Sequence, residues 1–228
     1  MPTMRLYSGP LSMFGAKAQI AALEKGLDVE LTMVPFTDDH RYQPKHPDVV
    51  RINPKQQVPV LIHGDVEIFD STQIFEYFED LKPDPALWPR DPAARARARL
   101  AEHKADEVYF PHVIRLMGVQ HALTEPTAVA ALSAAAAYYA DLEATLSQGP
   151  FLTGPTMTYA DIAFYMAQVF GDRMGAPITA ATPRLLRWRE AMTVRPGVRT
   201  VVGALAQHLA TTGRPVPVWL RSTLPDGA

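Results

Sequence analysis

The run Leu6-Tyr-Ser-Gly-Pro-Leu-Ser12-Met-Phe-Gly-Ala-Lys17 places a serine hydroxyl where an extended stretch gives way to a helix-type pattern. Amides at a helix start carry partial positive charge, so a hydroxyl among them suits an anion such as a thiolate or a phosphate. Serine is equally a preferred helix cap, and on the local sequence alone both readings stand. Phe69-Asp70-Ser71 sets a carboxylate and a hydroxyl at a second helix start. That pair suits a ligand carrying both an ammonium and a carboxylate, or serves as an ordinary cap. Between the two lies Asn53-Pro-Lys-Gln-Gln-Val58-Pro59-Val-Leu, with a proline where a strand begins. Proline there leaves a ladder position unpaired, and a cis bond would turn the Val58 backbone outward to meet an extended peptide. A plain strand-end proline is the alternative.

Other chemistries are excluded by what the chain lacks. Cysteine is absent, which removes disulfides, thiolate metal sites and any protein thiol nucleophile. There is no phosphate-binding glycine loop, no His-Glu-x-x-His, no nucleophile elbow and no Gly-x-Gly-x-x-Gly. Asp38-Asp39-His40 offers oxygen and nitrogen ligands in principle, but a charged loop of this kind is expected to be solvated, and no metal is expected. With 22 Lys+Arg against 24 Asp+Glu, the net charge of −2 gives no basic field for nucleic acid or an anionic membrane. No uncharged apolar run of about 18 residues is present, so no spanning helix is expected. The first residues reach a strand-like segment without a basic start and an apolar stretch, so no signal peptide and a cytoplasmic location are expected.

The elements that must position these residues fall into two regions. Prolines 83, 85, 89 and 92 lie within ten residues and mark an extended linker. Before it, Arg5–Ser8, Val29–Val34, Val58–Ile62 and Val66–Phe69 read as strands. Ser12–Lys25 reads as a helix stopped by Gly26, and Ser71 is expected to cap a helix to Leu81. A strand, a helix and a second strand demand a parallel crossover, whereas the tight turn at His63-Gly64-Asp65 demands an antiparallel pair. The sheet is therefore mixed and four-stranded. After the linker strands vanish. Ala93–Met117 and Thr127–Ser147 are helical, Thr158-Tyr-Ala-Asp161 is a capping box, Pro183 and Pro196 open further helices, and the tail from Thr211 is expected to be irregular. The fold class is α/β plus all-α, with domains 1–82 and 93–228 joined by a linker at 83–92.

Taken together, Leu6-Tyr through Gly26-Leu27, Asn53-Pro-x-x-Gln57-Val-Pro-Val-Leu61, Asp70-Ser-x-x-Ile-x-x-Tyr-Phe78 and Leu152-x-Gly-Pro-x-x-Thr158-x-Ala-Asp-Ile162 resemble the soluble glutathione S-transferase family, in its serine-type (bacterial, theta/phi/beta-like) members. The resemblance runs in order to about Leu209. It implies a thioredoxin-like N-terminal domain that binds glutathione and an all-helical C-terminal domain that contributes the electrophile site. Residue by residue, it implies that Ser12 hydrogen-bonds the glutathione sulfur and that the Val58 backbone pairs with the cysteinyl unit beside a cis Pro59. It implies that Asp70 and Ser71 hold the γ-glutamyl end, and that Lys45 and Gln57 hold the glycyl carboxylate. Phe14 borders the same site. Met13, Pro44 and Gln56 depart from the usual residues, which bears chiefly on the glycyl end. Tyr7 is the runner-up thiol activator, since other classes of the family use a tyrosine at the end of the first strand.

The resemblance further implies a transferase that activates the glutathione thiolate for attack on a small hydrophobic electrophile, with glutathione as cosubstrate, no metal, and a homodimer. The missing cysteine fits, because the nucleophile belongs to the cosubstrate. Phe14, Tyr109, Phe110, Val113 and Met117 are expected at the electrophile site, although the same residues could equally be core. Two alternatives accompany this reading: a non-catalytic binding or regulatory protein of the same family, and a specialised glutathione-dependent lyase, dehalogenase or isomerase.

Overall fold

A computed structural model of the chain describes residues 3–224; residues 225–228 of the tail and Met1-Pro2 lie outside those described. Four short strands, β1 (Met4–Ser8), β2 (Val29–Met33), β3 (Val60–His63) and β4 (Val66–Phe69), form one mixed sheet in the order β2-β1-β3-β4. β1 pairs parallel with β2 and antiparallel with β3, and β3 pairs antiparallel with β4. The helices of this half are α1 (Met13–Glu24), α2 (Pro47–Ile52) and α3 (Ser71–Leu81).

Alternation along β1 sends successive side chains to opposite faces. Tyr7 packs with Val34, Val49, Val60 and Ile62 on the α2 side. Ser8, of opposite parity, faces α1, where its Oγ accepts from Gln19 Nε2 at 2.7 Å. α1 and α3 pack together on that side. Ile74, Phe75 and Phe78 of α3 are fully buried, each stabilising the fold by about 1.5–3 kcal/mol. Lys25, also fully buried, ties α1 to α3 and the linker by donating to Glu79 Oε2 at 2.7 Å and to the Pro85 carbonyl at 2.9 Å.

Several elements differ from the sequence expectation. α2 lies where a loop is expected; at six residues it is too short to show a periodicity, yet Pro47 opens it and the His46 ring caps Asp48 N–H. β3 begins at Val60 rather than Val58, since Pro59 has no N–H to give a ladder. α3 is capped by Asp70, with Ser71 its first residue.

Beyond the linker the helices are α4 (Pro92–Lys104), α5 (Phe110–Ile114), α6 (Pro126–Thr145), α7 (Tyr159–Arg173), α8 (Pro183–Thr193) and α9 (Pro196–Thr211). The single helix expected from Ala93 is broken by a π-helical turn at Ala105–Tyr109, which joins α4 to α5. α7 is buried through Gly171, the pattern of a helix apolar all round and enclosed by others. It begins at the Thr158–Asp161 capping box. Pro183 and Pro196 open α8 and α9.

By contacts the chain divides into two units, one formed by residues up to Ala86 with those from Pro196 onward, the other by Leu87–Arg195. α9 thus belongs with the sheet rather than with the helices that precede it. Gly197 lies so close to Leu23 and Glu24 that an added Cβ would stand 3.1 and 3.0 Å from them. The described tail is not irregular throughout: Val218–Thr223 forms a 3-10 helix that buries Leu220 and packs on α9.

Candidate functional site

The register decides which loops meet. Tyr7 stands opposite Val60, Val60 opposite Phe69, and Ser8 opposite Met33. The end of β1, the beginning of β3 and the end of β4 therefore share one end of the sheet. That end carries Ser12 after β1, Val58-Pro59 before β3, and Asp70-Ser71 after β4. Three segments picked out separately in the sequence are brought together by strand pairing.

Ser12 is the N-cap of α1, its Oγ accepting from Gly15 N–H at 3.0 Å. A hydroxyl that accepts through a lone pair keeps its own proton to donate. Among the described residues no acceptor for that proton is found, and Ser12 is half-buried at the N-terminal end of α1, where it lines a cleft with Val201, Ala204 and Leu205 of α9. Both readings of the sequence, cap and anion cradle, are thus compatible in one side chain. Gly15 is required: a Cβ there would overlap Ser8 Oγ and stand 3.1 Å from Ser12 Oγ. A glycine one turn inside a helix was the sequence signal for this close approach.

The Val58–Pro59 bond is cis, and Val58 lies outside the ladder, half-buried. The loop before it is shaped by Asn53, whose role sequence reasoning missed. Its Nδ2 donates to the Gln57 carbonyl at 2.6 Å and its Oδ1 accepts from Lys55 N–H at 2.9 Å. The Asn-Pro dipeptide was the available signal. Gln57 is exposed and Lys45 half-buried; they follow and precede α2 in the chain, flanking its two ends.

Asp70 has φ +76°, a region that costs a non-glycine residue about 1–3 kcal/mol and clusters at functional sites. Its Oδ1 accepts from Thr72 N–H at 2.9 Å and Gln73 N–H at 3.3 Å, which holds the carboxylate at the surface. Ser71 beside it is buried.

Tyr7 is placed differently from Ser12. It is buried on the α2 face, and its hydroxyl donates to Asp48 Oδ2 at 2.6 Å. Burial first, then that hydrogen bond, pushes the phenol above its ordinary value. The bond from Tyr7, with help from Arg51, holds the Asp48 carboxyl below the usual carboxylate range.

The expected electrophile residues divide. Tyr109 and Val113 are fully buried and Phe110 nearly so, as core residues would be. Tyr109 packs against Tyr138, Tyr139 and Phe164, and its hydroxyl lies 2.6 Å from that of Tyr139, which donates to the Ala176 carbonyl at 2.6 Å. Phe110 stacks on Phe170. Tyr109 is the last residue of the π-helical turn, and Phe110 and Val113 lie in the α5 that follows it. Met117 is 52% exposed, and Phe14 is half-buried with Lys17 Nζ 5.4 Å from its ring centre. The Asp38 carboxylate of the charged 38–40 loop pairs with Arg214.

Comparison with known proteins agrees with this architecture. Residues 2–80 match the family described as glutathione S-transferase, N-terminal domain, and residues 106–196 match glutathione S-transferase, C-terminal domain. Glutathione S-transferase U8 of Arabidopsis thaliana is 30% identical over 189 residues, 78% of this chain and 80% of that one. The tau class glutathione S-transferase MiGSTU from mango superimposes with a TM-score of 0.76 at 27% identity, covering 92% of this chain and 98% of that one. A stringent starvation protein A homolog of Coxiella burnetii is 33% identical over 109 residues; the match spans 47% of this chain and 48%, about half, of that protein.

Proposed function

We propose, from the premise that this chain belongs to the glutathione S-transferase family, that it is a glutathione transferase in which Ser12 stabilises the thiolate of bound glutathione for attack on a small hydrophobic electrophile. Glutathione supplies the nucleophilic sulfur when bound. The chain's part is to hold that tripeptide and stabilise negative charge. The observation that carries the reading is the Ser12 hydroxyl at the N-terminus of α1, which accepts from Gly15 N–H and so retains its own proton to donate.

The magnitudes suffice. A thiol near pKa 8.5 is mostly protonated at neutral pH, and lowering it by about 2 units takes roughly 2.7 kcal/mol. A charge-assisted hydrogen bond supplies about 1.5–3 kcal/mol and a helix end about 0.3–1. Tyr7 is the weaker candidate, because its single proton is given to Asp48 and its phenol is raised rather than poised.

The remaining assignments follow the sheet end. The exposed Asp70 carboxylate is suited to an ammonium, with Ser71 beside it for the γ-glutamyl carboxylate. The unpaired Val58 backbone next to cis Pro59 is suited to the cysteinyl unit, and Lys45 and Gln57 to the glycyl carboxylate. Phe14 and Met117 are the members of the expected electrophile set that keep exposed surface. A homodimer in the cytoplasm is part of the same proposal; among the described residues no helix is long and apolar enough to cross a membrane.

A second reading, a non-catalytic binding or regulatory protein of the same fold, is supported by the similarity to a relative named for stringent starvation rather than for transfer. Calorimetry with glutathione followed by a conjugation assay with an aryl halide separates them. Binding with turnover is expected; binding without turnover at any pH favours the second reading, and no binding rejects both.

A further inference from the structure

Ser12 is presented by the run Gly9-Pro10-Leu11-Ser12, and that run is braced by a residue the family motifs did not single out. Leu11 N–H donates to Tyr42 Oη at 3.2 Å. The Tyr42 ring lies against Gly9, where any Cβ would overlap it. Tyr42 packs edge-on to Phe36, ring centres 4.9 Å apart at 70°. The Arg214 guanidinium stands 5.1 Å from the Phe36 ring centre and forms an ion pair with Asp38. Thr37 and Arg41 exchange backbone hydrogen bonds of 2.9 and 2.7 Å, so Phe36, Asp38 and Tyr42 are borne on one closed turn. Arg214 N–H in turn donates to the Leu209 carbonyl at 2.8 Å, which anchors it to the last turn of α9. An unbroken line of contacts thus runs from the end of α9 to the serine loop.

We propose that Tyr42 is a positioning residue for Ser12, and that Arg214 is the strap that sets Tyr42 from the chain's C-terminal segment. The inference rests on the reading of Ser12 as thiol activator. A hydroxyl must lie within hydrogen-bond reach of the sulfur to stabilise it, and displacement by about 1 Å is enough to cost catalysis heavily. The loop before α1 is held to the turn at 37–41 by Tyr42 and, beyond Ser12, by its own hydrogen bond from Gly15. Release of Tyr42 therefore removes the loop's tie to the turn at 37–41, while the bond from Ser12 N–H to the Gly9 carbonyl, 3.0 Å, and the sheet stay in place. Because Asp38 is 74% exposed, the strap's ion pair is also open to screening by salt.

The test uses the full chain and two variants. Tyr42→Phe keeps the ring against Gly9 and removes the acceptor for Leu11 N–H. Arg214→Gln removes the cation from both Phe36 and Asp38 at the surface. Amide exchange at Leu11, followed by NMR without ligand, is expected to rise on the order of fivefold in Tyr42→Phe, the size of one net hydrogen bond, and by a smaller factor in Arg214→Gln. The pH profile of kcat/KM is expected to move to higher pH, with the unfolding midpoint near that of the parent. A role confined to stability would move the midpoint and leave the pH profile in place, which overturns the proposal. Unchanged exchange and profile in both variants overturn it too, while leaving the Ser12 reading intact if the parent binds glutathione in the calorimeter. If the parent binds none, the Ser12 reading falls and the strap's role in thiol activation falls with it.

Discussion

The Tyr7 hydroxyl donates to Asp48 Oδ2 at 2.6 Å across the α2 face of the sheet, whereas Ser12 Oγ accepts from Gly15 N–H at 3.0 Å at the open end of α1. The two candidate thiol activators are thereby given opposite tasks. One joins the partly exposed Asp48–Arg51 pair on the α2 face, and the other stands at the N-terminus of a helix.

Ser12→Ala is expected to lower kcat/KM by roughly 10- to 150-fold, the worth of a charge-assisted hydrogen bond of about 1.5–3 kcal/mol. It also raises the apparent pKa of bound glutathione and costs about 1 kcal/mol of stability through the lost cap. Tyr7→Phe is expected to leave the pH profile in place and to shift only the urea midpoint. A pH–rate series on both variants checks this. A profile displaced by Tyr7→Phe and untouched by Ser12→Ala would reverse the assignment.

The Asp48 network makes a prediction in acid. Arg51 donates to Asp48 Oδ1 at 3.2 Å and to Glu67 Oε2 at 2.6 Å, and both carboxyls lie below their ordinary values. A depressed carboxyl contributes stability that is present above its unfolded value, about 4, and lost as pH falls through the folded one. The urea midpoint is expected to fall across that acid range, and Asp48→Asn to make the fall shallower. Parallel slopes for parent and variant would show that the network carries no linkage.

Asp161 is buried at the start of α7 and accepts from Leu152 N–H, Thr158 N–H and Trp188 Nε1, each at 2.9 Å. Asp161→Ala leaves these donors buried without their acceptor, at about 1–3 kcal/mol apiece. A loss of at least about 3 kcal/mol is expected, near 10 °C in Tm for a chain of this size. Asp161→Asn keeps one acceptor oxygen and is expected to recover part of it. Thermal unfolding followed by circular dichroism measures both.

Lys25 and Glu79 form an ion pair whose lysine is fully buried. Lys25→Met is expected to destabilise by about 3–5 kcal/mol, because it removes the buried cation from Glu79 and the donor from the Pro85 carbonyl. The double variant Lys25→Met, Glu79→Leu is expected to recover most of that. Chemical denaturation of the two single variants and the double closes the cycle, and additive losses would mean the pair does not couple.

The local pattern is enough for elements whose cause is local. Ser12 and Gly26 bound α1, and Gly64 sets the turn between β3 and β4. Thr158 and Asp161 start α7, and Pro183 and Pro196 start α8 and α9. Each follows from what a side chain or a fixed φ does to its own neighbours. The segments of the candidate site were legible because Ser12 and Asp70 are cap-type residues at helix starts and Pro59 interrupts a strand start.

The order of elements, their main boundaries and the chemistry available at each loop are thus written in local residue patterns. Tertiary structure decided the rest. Strand register put Ser12, Val58 and Asp70 at one end of the sheet, and the side of the sheet on which Tyr7 falls gave its proton to Asp48. Packing among the helices buried Tyr109 and Val113, and the return of α9 to α1 set Arg214 beside Asp38. None of these can be read from a local pattern, because each depends on which residue distant in sequence occupies the neighbouring space.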